Sequence, residues 1–326
     1  MQKNRTMQAV RFENRTIVNV DTPVPEPGYE EALVRILTAG ICATDRAIFN
    51  GYADFSGIPG HEFVGLVEKC PARPGLEGRR VVADINIGCG RCADRRHCPK
   101  RKAIGIRGKD GAFAEYCVVP VENLRLVPEP VSTRHAVFAE PLAAALRIAD
   151  QVAIGQNTRV AVAGDGCMGI LCALALSCYG KNVVLLGRHP EKLAIAKQQN
   201  VETFLAGKDV PPEGILRELG SFDVTVDAAG SAAGIGYCIA LARPEGIVVV
   251  KTTLPQNTAV DLSAVVINEL SVLGSRCGNM DFALDHLKNR RIDVEPLITA
   301  VYPFPSFEEA FRRSGENDSL KVLVEF

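Results

Sequence analysis

Two short runs place metal-ligating side chains beside groups able to orient them: Cys42-Ala43-Thr44-Asp45 and, further along, Pro59-Gly60-His61-Glu62-Phe63. A zinc ion that does chemistry takes three protein ligands from Cys, His and Asp/Glu and leaves a fourth position for water or substrate. Cys42 and His61 supply two. The third has two candidate sources, the cluster Cys89, Cys92 and Cys98 or the carboxylate of Glu140. Glu140 lies in the apolar stretch Phe138-Ala139-Glu140-Pro141-Leu142-Ala143, where burying an unpaired carboxylate is costly and a metal would offset the cost. Capping of a helix N-terminus ahead of Pro141 is the other role open to it.

A second chemical signature is Val160-Ala161-Val162-Ala163-Gly164-Asp165-Gly166-Cys167-Met168-Gly169, a strand running into G-x-G-x-x-G ahead of an apolar helix expected at residues 167–179. Gly164 permits a tight turn, Gly166 lets backbone approach a pyrophosphate, and Gly169 lets helix and strand pack closely. The main chain at Cys167 and Met168 then offers N–H groups to phosphates. In such a site the following strand ends in a carboxylate when the cofactor is NAD, because that group accepts hydrogen bonds from the ribose hydroxyls. Here the strand ends in Gly187, and Arg188 follows. The missing carboxylate removes repulsion against a 2′-phosphate, and Arg188, reinforced by Lys192, would pair with it, so NADP(H) is expected over NAD(H). Solvation of the start of a surface helix is the alternative role for Arg188 and Lys192. Asp165, between the first two glycines, is expected to point away from the phosphates, and His189 to be a loop residue.

These sites need elements to hold them, and the 326 residues exceed the size at which single cores usually stop growing, so two domains are expected. With 47% hydrophobic and 23% charged residues and a formal net charge of −1, the chain reads as an ordinary globular protein with no general pull toward nucleic acid or membrane. Its N-terminus lacks the apolar core of a signal peptide, and no run of about 18 apolar residues occurs. Eleven cysteines are too sparse for a disulfide scaffold, which points to a reduced, cytoplasmic protein. Short β-rich runs at residues 8–12, 32–39, 63–69, 80–84 and 114–119, broken by Pro and Gly, predict a β domain. From about residue 132 helical segments alternate with buried strands at 159–163, 183–186, 224–227, 247–251 and 272–273, the pattern of a parallel α/β sheet. A helix at 307–313 and a strand-like run from Leu320 close the chain and could complete either domain.

Gly40-Ile41-Cys42-Ala43-Thr44-Asp45, Pro59-Gly60-His61-Glu62-Phe63-Val64-Gly65, Glu140-Pro141-Leu142-Ala143 and the glycine motif at 164–169 occur in the order found in the zinc-dependent medium-chain dehydrogenase/reductases, which the chain resembles from Met7 onward. It is most similar to polyol and threonine dehydrogenases that use the Glu of Glu-Pro-Leu as a zinc ligand. The resemblance implies α/β and β architecture, with a GroES-like β-rich catalytic domain at 1–131 completed by 295–326. The other domain, at 132–294, would be a Rossmann dinucleotide-binding domain with a doubly wound parallel sheet. It also implies catalytic zinc on Cys42, His61 and Glu140. Glu62 would lie beside the metal, Asp45 would orient His61, and Thr44 would contact the substrate oxygen. Lys321 would lie near the cofactor pyrophosphate, unless it is a solvated strand lysine. The implied activity is hydride transfer between a small alcohol or polyol, or its carbonyl, and the nicotinamide cofactor. A homodimer or homotetramer built near residues 271–275 is implied as well.

The chain departs from the family pattern in two places. The structural-zinc lobe of four cysteines is reduced to Cys89, Cys92 and Cys98, with His97 or Asp94 as the remaining candidates for a fourth ligand. Ala47 stands where many members carry a histidine that continues the proton relay from Thr44. The competing readings are a zinc-free quinone or double-bond reductase, and a non-catalytic NADPH-binding protein on the same scaffold.

Overall fold

The β-rich texture of the N-terminal part resolves around Glu31–Ile41, a strand of 11 residues buried along most of its length. One edge pairs antiparallel with Glu62–Lys69. The other edge is shared, residues 31–35 with Tyr116–Pro120 and residues 38–41 with Lys321–Glu325. Arg80–Ala83 and Leu124–Leu126 extend the sheet on one side, and Ile298–Pro303 closes the other in parallel with the final strand. The C-terminal strand, open to either domain on sequence grounds, is thus paired next to the strand that leads into Cys42. The structure is a computed structural model and describes residues 5–13, 15–52, 55–207, 210–254 and 257–326. The opening residues 1–4, part of the stretch read above for a signal peptide, lie outside them.

Two compact units result. One comprises the chain as far as Glu140 with Met280–Asn289 and Ile298–Phe326; the other comprises Pro141–Asn279 and Arg290–Leu297. In the first unit the helix Phe307–Arg313 packs aromatic on aromatic. Phe307 lies 4.7 Å from Phe113 between ring centroids, and Phe311 packs on both Phe12 and Phe49. Such pairs add directional attraction to the burial of large apolar area.

The second unit is a six-stranded parallel sheet in the order Glu202–Leu205, Asn182–Gly187, Arg159–Ala163, Phe222–Asp227, Ala242–Val250, Ser271–Gly274. Chain order reverses between Arg159–Ala163 and Phe222–Asp227, so the crevice at the carboxyl ends of these two strands is where a ligand binds in a sheet of this kind. The helix Cys167–Ser177 starts there, two residues shorter at its end than the sequence suggests. Gly164 has φ +118°, a conformation that disfavours any side chain, and a Cβ at Gly169 would lie 1.8 Å from the Gly164 carbonyl oxygen. A Cβ at Gly166 would meet nothing within 4 Å. Two of the glycines are therefore needed by the fold, and the middle one leaves open space. Gly169→Ala should accordingly cost about 1–3 kcal/mol of stability, read as a lower urea midpoint at constant m-value. Gly166→Ala should leave the midpoint where it is, and a matching loss in both variants would contradict this division of roles.

Candidate active site and cofactor loop

Strand register assembles the first site. Gly40 pairs with Glu62, and Ile41 pairs with Val322, so Cys42, Glu62 and Lys321 all fall at one end of three adjacent strands. Cys42 then caps the helix Ala43–Phe49: its sulfur accepts from the Thr44 N–H at 3.5 Å, while Asp45 Oδ2 accepts from the Cys42 N–H at 2.8 Å. This reciprocal cap fixes the entry to the helix. Asp45 is fully buried, and its other oxygen lies 3.3 Å from His61 Nδ1, in ion-pair range but off hydrogen-bonding alignment. One carboxylate therefore ties the backbone of Cys42 to the ring of His61. Burial pushes the His61 imidazole down, but the Asp45 carboxylate and the Cys42 side chain outweigh it and hold it well above the usual histidine range.

His61 is delivered by a tight glycine crossing. Gly60 has φ +96°, and the Gly60 and Pro59 carbonyls accept from Ala112 and Phe113 N–H at 2.9 Å each. Phe113 itself is fully buried core.

Ligand atoms of Cys42, His61 and Glu62 lie within 4.8 Å of one another. Glu62 is 1% exposed and its Oε2 is ion-paired with Lys321 Nζ, itself 3% exposed, while Oε1 is buried without a hydrogen-bond partner. A buried carboxylate oxygen without a partner, beside a sulfur and an imidazole, is what a zinc ion satisfies. Glu140 is not one of the three; it is half-buried in the first turn of the helix Ala139–Gln151. Thr44, also half-buried, stands next to the cluster in the capped helix. Of the two roles open to Lys321 on sequence grounds, near the cofactor pyrophosphate or as a solvated strand lysine, the second does not hold: the side chain is buried and ion-paired with Glu62. A Cβ at Gly40 would lie 2.8 Å from Glu62 Oε2 and 3.3 Å from Lys321 Cδ, so the glycine makes the room this pair occupies.

Three further sulfurs also converge. Cys89, Cys92 and Cys98 have ligand atoms within 4.8 Å of one another, with Cys89 and Cys92 sulfurs 3.6 Å apart. The Arg91 N–H and the neighbouring thiols lower Cys89 to about 7, while Cys98 and Cys89 push Cys92 up to about 11. Asp94 does not join them. Its carboxylate accepts from the Arg96 N–H and guanidinium, which hold it down at about 2, and it caps the turn Arg95–His97.

In the second unit Gly166 is the N-cap of Cys167–Ser177 and carries no side chain to cap it, so no side-chain oxygen of the cap competes for the helix N-terminus. Together with the open space at Gly166 this fits a phosphate-bearing ligand. At the end of Asn182–Gly187, Arg188 is exposed whereas Lys192 is buried, so only Arg188 has its side chain at the surface. Asp165 turns out of the glycine loop toward that strand end: Oδ2 accepts from the N–H groups of Arg188 at 2.6 Å and His189 at 2.7 Å.

Residues 28–129 match the family model of the alcohol dehydrogenase GroES-like domain, and residues 166–289 match that of the zinc-binding dehydrogenase. The chain belongs to the zinc-dependent medium-chain dehydrogenase/reductases. It is an oxidoreductase of the alcohol dehydrogenase type. L-threonine 3-dehydrogenase of Coxiella burnetii is 29% identical over 93% of this chain and 94% of its own length. A solved E. coli protein described as a short chain alcohol dehydrogenase (rspB), complexed with NADH, superposes with a TM-score of 0.92 at 26% identity, covering 98% of this chain and 99% of that one. A putative zinc-binding dehydrogenase from Sinorhizobium meliloti bound to NADP superposes at 0.89 with 29% identity, covering 99% of this chain and 100% of that one. Among the described residues, no helix of this dehydrogenase is long and apolar enough to cross a membrane.

Lys321→Met should cost about 3–5 kcal/mol, because it leaves the Glu62 charge buried without its cation. Glu62→Gln combined with Lys321→Met should recover part of that loss. Urea midpoints of the metal-free proteins measure both, and additive losses would show that the two side chains do not act as a pair.

Proposed function

We propose that this dehydrogenase interconverts a small alcohol or polyol and its carbonyl, using zinc and a nicotinamide cofactor, with NADP(H) preferred over NAD(H). The observation that carries the reading is the gathering of Cys42, His61 and Glu62 around unsatisfied buried polar atoms. Cys42 and His61 would hold the metal with Glu140, and Glu62 would stand beside them as an exchangeable ligand. When bound, zinc supplies a Lewis acid that makes an alcohol hydroxyl acidic enough to lose its proton at neutral pH. Asp45 fixes which ring nitrogen of His61 is offered. Thr44 orients the substrate hydroxyl and takes its proton outward. Ala47, one turn on, has no group to continue that transfer, so the proton passes from Thr44 to solvent rather than along a histidine relay.

The main chain of Gly166, Cys167 and Met168 binds the pyrophosphate, and Gly164 and Gly169 hold the loop in shape for it. The preference for NADP(H) is supported by the exposed Arg188 next to a residue without a side chain; Lys192 is buried in the first turn of the helix Pro190–Gln198. A reducing, cytoplasmic setting is proposed from the eleven cysteines, too few for a disulfide scaffold in a chain of 326 residues. Assembly as a homodimer or homotetramer is supported by the exposed Val272 on the open sheet edge Ser271–Gly274 and the exposed Val266 and Ile267 of the helix Leu262–Ile267 that precedes it.

Metal analysis of the wild type and of Cys42→Ala tests the mechanism. Zinc in the wild type, with about one equivalent lost in the variant, is expected. A wild type without zinc would sink the reading in favour of a zinc-free reductase, and retention of one equivalent in the variant would assign a second ion to Cys89, Cys92 and Cys98. Tight cofactor binding with no turnover across alcohols and carbonyls would instead identify a non-catalytic binder.

A further inference from the structure

The carboxylate missing from the end of the strand Asn182–Gly187 has been replaced from another part of the chain. Asp165 is 8% exposed and reaches from the glycine loop to that strand end, where Oδ2 receives the N–H groups of Arg188 and His189. His189 Nδ1 lies 3.0 Å from Oδ2 and 3.1 Å from Oδ1. A side chain on Gly187 would begin in the space Asp165 already fills: its Cβ would lie 2.6 Å from both the Cβ and the Oδ2 of Asp165. Asp165 and a residue larger than glycine at position 187 are therefore mutually exclusive in this conformation. The glycine that removes the usual ribose-reading residue is the same glycine that admits a carboxylate from the loop.

A carboxylate has about four acceptor positions. Oδ2 is engaged by three donors, whereas Oδ1 has only the longer contact to His189, so Oδ1 retains capacity for a hydroxyl donor. The two backbone N–H groups also stabilise its ionised form against the opposing effect of burial. Held there, the negative charge favours a diol and disfavours a second anion. Arg188, exposed on the same strand end, favours the anion.

We propose that Asp165 is the specificity-determining carboxylate of this dehydrogenase, accepting from the adenosine ribose of NAD(H) and opposing the 2′-phosphate of NADP(H). The proposal rests on the nicotinamide-binding role given above and qualifies its cofactor preference. The enzyme binds both cofactors, with Arg188 and Asp165 setting the ratio between them.

The test is titration of NADH and NADPH, followed by nicotinamide fluorescence, into the wild type, Asp165→Asn, and the exchange variant in which Asp165→Gly is combined with Gly187→Asp. Asn keeps an acceptor for the backbone N–H groups but removes the charge. It should move the ratio of dissociation constants toward NADPH by about tenfold, the size of one charged hydrogen bond. The exchange variant restores a carboxylate at the strand end and should return the ratio to within about threefold of the wild type.

Equal weakening of both cofactors in Asp165→Asn would make Asp165 a prop for the loop only and overturn the proposal. An unchanged ratio overturns it too. Should Asp165→Asn fail to fold, the exchange variant decides alone: a shift well beyond threefold toward NADH would mean that Asp165 had supplied no such discrimination in the wild type. Failure of the wild type to bind either cofactor is a different result, and it would remove the nicotinamide role itself.

Discussion

The first unit is organised by the need to bury four ionisable side chains next to one sulfur. Asp45, His61, Glu62 and Lys321 are each no more than 4% exposed, and any one of them unpaired would cost several kcal/mol. Each solution constrains something remote in sequence. Lys321 reaches Glu62 only because the last strand adds to the sheet in the register Val322 to Ile41. Glu62 and Lys321 share their space only because residue 40 has no side chain. Asp45 faces His61 only because the same carboxylate caps the helix after Cys42. Strand order, a glycine and a helix cap are thus consequences of one electrostatic demand.

The second unit meets a different demand. Its sheet is parallel and its central strands are buried on both faces, so the backbone satisfies itself and the loops at the strand ends carry the polar work. Gly169 closes the loop against the Gly164 carbonyl and Gly164 packs on the backbone of Ala228, leaving Gly166 facing open space. The helix that follows is apolar almost throughout and buried over Gly169–Leu176, which anchors the loop rigidly at one end. A loop held in this way can present N–H groups without rearranging to do so, and that lowers the ordering cost of binding.

Much of this was legible in the sequence because it depends on local pattern. Strands such as Arg159–Ala163 and Glu62–Lys69, the helix Phe307–Arg313 and the glycine loop are written in runs of residue type and spacing. Cys42 and His61 could be paired because each lies in a short, chemically dense segment. The edge strand Glu202–Leu205 was not anticipated, since Glu-Thr-Phe-Leu is half exposed and has neither an apolar run nor a clean alternation. The pairing of Lys321 with Glu62 is not legible in the sequence, because it is set by cross-strand register between residues 259 positions apart. Asp165 could be expected to leave the phosphate track, but its destination depends on an empty position at Gly187 and on two backbone donors that only the folded sheet aligns.

The pairing of Glu62 with Lys321 also bears on how this carboxylate takes part at the cluster. An ammonium in contact with Oε2 compensates the charge of Glu62, so the residue can sit beside Cys42 and His61 without adding an unpaired anion to a dry site. It also divides the work between the two oxygens. Oε2 is committed to Lys321, and Oε1 is left buried with no donor from the protein. Oε1 has the larger acceptor capacity to spare, and a carboxylate that keeps one oxygen on a fixed cation can give up its other contact without becoming unpaired. That arrangement is compatible with the exchangeable role proposed for Glu62 above.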